Sequence, residues 1–222
     1  MGTYKLVEFI ILFAIAAIVL YRLRSVIGTR TGYEPTSNSG VGQQNGVGPA
    51  GPEVVEEEDE IEASAVRNLD EETRDALTEI RKVEQDFSLE EFLRGARSAY
   101  EMVLMAYEEG DRSTLQDLLT PDVYQAFEKV IRSREEEGLQ VEARFIGVRD
   151  LRVETIRFDD DTAEADLTLR FVGEMITAVR DAENRIVEGD PNEIRRQTDV
   201  WTFSRNTGSS DPNWVLDETD EG

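Results

Sequence analysis

The periodicity of apolar residues changes once along this 222-residue chain, near Gly138, and that change restricts the fold more than any other feature. Before it, apolar side chains recur at helical spacing; beyond it, they alternate. Helices first and an antiparallel meander second predict an α+β domain. In such a domain the sheet must curl around the helices for both to bury their apolar faces.

The helical half is punctuated clearly. Ala65, Val66, Leu69, Ala76, Leu77, Ile80 and Val83 recur on a charged background and predict an amphipathic helix over 63–86. Phe87-Ser88-Leu89-Glu90-Glu91-Phe92 is a helix start, in which Ser88 can cap the amide of Glu91, Glu91 can reach back to Ser88, and Phe87 can staple onto Phe92. The apolar face that follows runs through Phe92, Ala96, Ala99, Tyr100, Val103, Leu104, Ala106 and Tyr107, with Gly110 as the stop. A short helix is expected around Thr114 to Leu119. Thr120-Pro121 then caps and opens another, carrying Val123, Tyr124, Phe127, Val130 and Ile131.

In the second half, Val141 to Thr155 reads as a strand and Asp159-Asp160-Asp161 as a turn. Thr162 to Val179 alternates, with Ala163, Ala165, Leu167, Leu169, Phe171, Gly173 and Met175 on one face. Asn184 and Gly189-Asp190-Pro191 mark a turn region, Ile194 to Arg205 carries Trp201 and Phe203 on one face, and Trp214-Val215-Leu216 closes the sheet.

The N-terminus points to a membrane. Leu6 to Leu23 is nearly unbroken apolar sequence, including Phe9, Ile10, Phe13, Leu20 and Tyr21, and it covers roughly 27 Å as a helix at about 1.5 Å per residue. A buried core helix and a cleaved signal peptide are the alternatives. The second needs basic residues ahead of the run, where Lys5 stands alone, whereas Arg22, Arg24 and Arg30 lie behind it. By the positive-inside rule those arginines hold the C-terminal flank in the cytoplasm, which predicts a single-pass protein of the cell inner membrane with a cytoplasmic domain. Gly28 to Pro52 is polar and Gly-rich, and the acids from Glu53 to Glu62 extend it, so 28–62 reads as a disordered linker.

Charge and missing residue types narrow the chemistry. The net charge is -24, and the first 30 residues are net basic, so the remainder is more acidic still. Such a surface repels nucleic acid. Arg144, Arg149, Arg152 and Arg157 form the one basic cluster, interleaved with acids as on a solvated strand face. With neither cysteine nor histidine, the chain has no disulfide, no thiolate or imidazole metal site and no Ser-His or Cys-His pair. The acid runs Glu135-Glu136-Glu137 and Asp159-Asp160-Asp161 lack the ligand spacing of a calcium loop. No metal and no cofactor is expected.

Several spaced segments resemble a known family. Phe92-Leu93-Arg94-Gly95-Ala96-Arg97, Ala99-Tyr100-Glu101-Met102-Val103, Gly110-Asp111, Leu118-Leu119-Thr120-Pro121 and Val123-Tyr124 resemble the Tim-forty-four-like domain of the mitochondrial import-motor membrane anchor. Val172-Gly173-Glu174, Val187-Glu188-Gly189-Asp190-Pro191, Thr198-Asp199-Val200-Trp201-Thr202-Phe203 and Asp211-Pro212-Asn213-Trp214 agree, and the bacterial TimA-type adaptors are the closest in character. The resemblance implies a cone-shaped fold like that of nuclear transport factor two, with three helices on a curved antiparallel sheet. It also implies a non-enzymatic adaptor holding a protein partner near the membrane, in protein translocation or membrane protein biogenesis. The organisation is then an anchor over 1–27, a linker over 28–62, an amphipathic helix over 63–86, the Tim-forty-four-like domain over 87–218 and an acidic tail over 219–222.

Cone folds also host enzymes and ligand pockets. Tyr100, Tyr107, Leu169, Phe171, Asp199, Trp201, Phe203 and Trp214 are the candidate lining of such a pocket or, more simply, of the core. Asp199, beside Trp201, is the candidate carboxylate for ketosteroid-isomerase-like chemistry, with Tyr100, Tyr107 and Tyr124 as donors. The plainer expectation pairs Asp199 with Arg170 or Arg196.

Overall fold

The computed structural model describes residues 53–67 and 69–222. The anchor residues, from Leu6 to Arg24, and the Gly-rich part of the linker lie outside them. Among the described residues no helix is long and apolar enough to cross a membrane.

Helix α1 spans Glu53–Arg67 and α2 spans Glu71–Val83. Two expectations are corrected here. The linker expected through residue 62 gives way to helix at Glu53, because this segment has a face to bury: Ala65 enters the core, and Ile61 and Val66 pack against it. Glu62 goes in with them, only 1% exposed, and forms an ion pair with Arg97 at 3.3 Å. The single helix expected over 63–86 is two, since Asp70 starts a new one by accepting a hydrogen bond from the Thr73 amide at 2.8 Å. Thr73, Leu77 and Ile80 then form its buried stripe.

Helix α3, Leu89–Glu109, begins where the sequence places it: Ser88 accepts from the Glu91 amide, and the Phe87 and Phe92 ring centroids lie 6.2 Å apart. It ends at Gly110, whose φ of 71° is the left-handed conformation glycine adopts without a Cβ clash. Helix α4, Arg112–Leu118, is capped by Asp111, and α5, Pro121–Glu136, opens with proline in its first turn. Thr120 holds the cap position of α5 but its side chain makes no capping bond; its amide instead donates to the Leu216 carbonyl at 3.0 Å. Over 87–218 the three expected helices are therefore present as α3, α4 and α5, with α1 and α2 preceding them.

Strands β1, Gln140–Asp159, β2, Glu164–Arg180, β3, Ile186–Gly189, β4, Arg195–Asn206, and β5, Val215–Glu221, form one antiparallel sheet in the order β1-β2-β4-β5, with β3 also on β2. The acidic tail expected from residue 219 is instead the end of β5, held by pairing such as Val200 with Asp220. Register shifts in β1, between Phe145 and Gly147, Val148 and Asp150, and Val153 and Thr155, bend the strand. Ala163, expected on the β2 face, lies in the preceding turn with φ 56°.

Alternation on β2 buries Ala165, Leu167, Leu169 and Phe171. Their cross-strand partners on β4 include Phe203 opposite Leu167, Trp201 opposite Leu169 and Asp199 opposite Phe171. Three residues beyond Phe171 on β2, Glu174 is 8% exposed and clamps three strands by pairing with Arg149 of β1 at 2.7 Å and Arg196 of β4 at 2.8 Å.

Candidate functional site

The core of α3 meets the sheet through Tyr100. Its ring is fully buried and stacks on Phe171, with centroids 4.4 Å apart and planes within 5°. That stacking carries the hydroxyl over Gly173 toward β4. A Cβ at Gly173 would lie 2.5 Å from Tyr100 Oη and 2.9 Å from its Cε1, so only glycine leaves the ring its place. On the far side Tyr100 Oη donates to Asp199 Oδ2, and Gln197 Nε2 donates to the same oxygen at 2.9 Å and to Tyr100 Oη at 3.3 Å.

Burial first, and then the Asp199 charge, push the Tyr100 hydroxyl well above the usual tyrosine range. It remains protonated and donates. The expected ion pair between Asp199 and Arg170 or Arg196 does not form: Arg170 pairs with Glu154 at 2.6 Å, and Arg196 pairs with Glu174. Both arginines are taken by carboxylates elsewhere on the sheet.

Beside this cluster a cavity of about 460 Å³ opens between α3, α5 and the β4–β5 hairpin. Asp199 and Trp201 line it from β4, Leu104 and Tyr107 from α3, and Phe127 and Val130 from α5. Tyr107 packs edge-on against Phe127 at 4.9 Å, and the Arg134 guanidinium lies over the Tyr107 ring, 4.4 Å from its centroid. Arg134 pairs with Glu108 at 2.9 Å; burial raises the Glu108 carboxyl and the cation beside it lowers it, with burial the larger effect.

The other candidates serve the core. Leu169 and Phe171 are fully buried, and Trp201 and Phe203 are nearly so, packed around Tyr100. Trp214 stands half-buried against Phe87 and Phe92, with the Arg205 guanidinium 5.0 Å over its ring. The structure thus brings Tyr100, Phe171, Asp199 and Trp201 into one cluster and leaves Trp214 apart. Gln197, which joins that cluster, carried no signal in the sequence except its position two residues before Asp199, on the same strand face. Tyr124 is elsewhere, its hydroxyl accepting from Gln116 at 3.0 Å. Among the described residues no group of acids is arranged to hold a metal ion. Glu135 is forked onto Arg112, and Asp159 accepts from the amides of its own turn.

The model of the Tim44-like domain matches residues 73–221, which takes in α2 to α5 and the whole sheet. The chain belongs to the Tim44-like domain family. The Tim44-like domain here is 25% identical over 142 residues to the human mitochondrial import inner membrane translocase subunit TIM44. It is 24% identical over 143 residues to the probable mitochondrial import inner membrane translocase subunit tin-44 of Caenorhabditis elegans. Each match covers 64% of this chain but only 31% and 33% of the respective relative, so the chain spans about a third of the curated relatives it matches. Among solved structures it is similar to the intermembrane space region of the chloroplast protein ARC6, at 13% identity and a TM-score of 0.40, over 58% of this chain and 94% of that one.

Proposed function

We propose that this protein is a membrane-anchored, non-enzymatic adaptor. Its N-terminal apolar segment, Leu6 to Leu23, holds it in the inner membrane, and its Tim44-like domain, with a cone like that of nuclear transport factor two, engages a protein partner at the cytoplasmic face. Protein translocation or membrane protein biogenesis is the process. The relatives' names, as import inner membrane translocase subunits, support that assignment.

One observation carries the non-enzymatic part. A carboxylate-driven enzyme needs a donor free to meet its substrate, but the Tyr100 hydroxyl is fully buried and spent on Asp199. Lining up a catalytic pair would require Tyr100 to abandon both its stack on Phe171 and its hydrogen bonds. A second reading, a small-ligand binder, has the half-open cavity beside Asp199 in its favour.

Protease protection tests the arrangement. In intact spheroplasts residues 53–222 should resist added protease and become digestible only after the membrane is lysed. Crosslinking before lysis should yield the same protein partner reproducibly with the wild type, and replacing Leu6 to Leu23 by a polar linker should abolish both membrane fractionation and that crosslink. Digestion of the domain in intact spheroplasts would refute the topology.

A further inference from the structure

The cavity beside Asp199 has a chemical preference written into it. Asp199 Oδ2 accepts from two neutral donors, Tyr100 and Gln197, while Oδ1 takes part in no hydrogen bond among the described residues. Among the same residues no lysine or arginine pairs with this carboxylate, and the nearby Arg134 is occupied by Glu108 and by the Tyr107 ring. A carboxylate without a counter-ion at the wall of an apolar cavity is a site for a cation. Thr219 and Asp220 of β5 line the wall beside Asp199, and the remainder is aromatic and aliphatic: Tyr107, Phe127 and Trp201 offer ring faces, and Leu104 and Val130 offer apolar contact.

We propose that this cavity binds a small organic cation, an ammonium group on an apolar stem, with the ammonium on Asp199 and the stem along Leu104, Phe127 and Val130. The volume of about 460 Å³ falls in the range of small-molecule sites and exceeds what one lysine side chain would fill, which favours a free ligand over a side chain of a partner. The proposal rests on the ligand-binding reading given above and names the ligand's chemistry; it does not depend on the adaptor reading.

The test is calorimetric titration of the full-length protein with hexylammonium and with 1-hexanol, which share a stem and differ in charge. Hexylammonium should bind at least about ten-fold tighter, the margin of one charge-assisted hydrogen bond. Asp199→Asn should bring the two ligands to within about two-fold by removing that charge-assisted bond. Should Asp199→Asn also lower the melting temperature, Val130→Lys gives an independent arm. At a 42% exposed position on the rim it supplies a tethered ammonium, and it should erase the preference while leaving the fold intact. Equal affinities for the two ligands in the wild type, or a preference that survives Asp199→Asn, would overturn cation selectivity while leaving a ligand site. Failure of both ligands to bind would overturn the ligand-binding reading as well. Tighter binding of Nα-acetyl-lysine methylamide than of hexylammonium, lost in Asp199→Asn, would instead assign the cavity to a partner's lysine and overturn the free-ligand proposal.

Discussion

Trp201→Ala should lower the unfolding free energy by about 3–5 kcal/mol, the usual cost of truncating a buried aromatic side chain. Trp201 is only 3% exposed, and its ring centroid lies 4.7 Å from Tyr100, 5.8 Å from Phe171 and 6.3 Å from Phe203. Removing it leaves a void against three other elements at once, since Tyr100 comes from α3 while Leu169 of β2 and Thr219 of β5 are its strand partners. Single domains have about 5–15 kcal/mol in total, so the variant should be partly unfolded at growth temperature. Urea unfolding of the full-length protein, followed by near-ultraviolet circular dichroism, measures the loss. An unchanged midpoint would mean that Trp201 faces a binding surface rather than the core.

Glu62→Ala should cost about 3 kcal/mol, because it removes the carboxylate from a buried ion pair, 3.3 Å from an Arg97 side chain that is only 14% exposed. The loss should be concentrated in α1, whose hold on α3 runs through that pair and through Ala65 and Ile61. Hydrogen exchange of residues 60–67 should therefore accelerate far more than that of β2. The double variant Glu62→Leu with Arg97→Met should recover most of the loss, since replacing both charges with apolar groups removes the desolvation cost together with the attraction. If Glu62→Ala exchanges like the wild type, α1 is not held by this pair.

Much of this architecture was legible because local chemistry and tertiary need agreed. Ser88, Phe87 and Gly110 set the ends of α3, and strict alternation from Ala165 to Phe171 set the buried face of β2. Where the sequence misled, a tertiary partner decided. The acids at the start of α1 suggest an extended linker by self-repulsion, and nothing local reveals that Arg97, some 35 positions on, waits for Glu62. The end of β5 is as acidic as a tail, yet the edge of β4 supplies backbone partners that outweigh composition. Strand β3 has only four residues, with Ile186 and Val187 exposed, and no alternation to announce it.

The candidate site was half legible. Asp199 and Trp201 share a strand face by simple alternation, and Tyr100 lies on the buried stripe of its helix. Their meeting depends on the register that sets Asp199 opposite Phe171 and Gly173 opposite Gln197, and a register between strands is not readable from either strand alone. The same register explains why the expected arginine partners were wrong. Glu154 and Glu174 stand nearer to Arg170 and Arg196 than Asp199 does, which leaves Asp199 to a tyrosine.

Replacing Asp199 with asparagine tests the adaptor account most directly. The amide keeps the shape and can still accept a hydrogen bond from Tyr100, but it cannot take a proton at neutral pH as a general base must. Asp199→Asn, expressed in cells in place of the wild type, should crosslink to the same protein partner and support the same cellular function to within about a few-fold, since binding by shape and surface charge does not require that proton. Charge reversal at the exposed Glu101 of α3 should weaken the crosslink instead. A complete loss of function in Asp199→Asn, with normal folding and normal partner crosslinking, would contradict the adaptor account and tie the function to the Asp199 carboxylate, as a base or as a ligand-binding group.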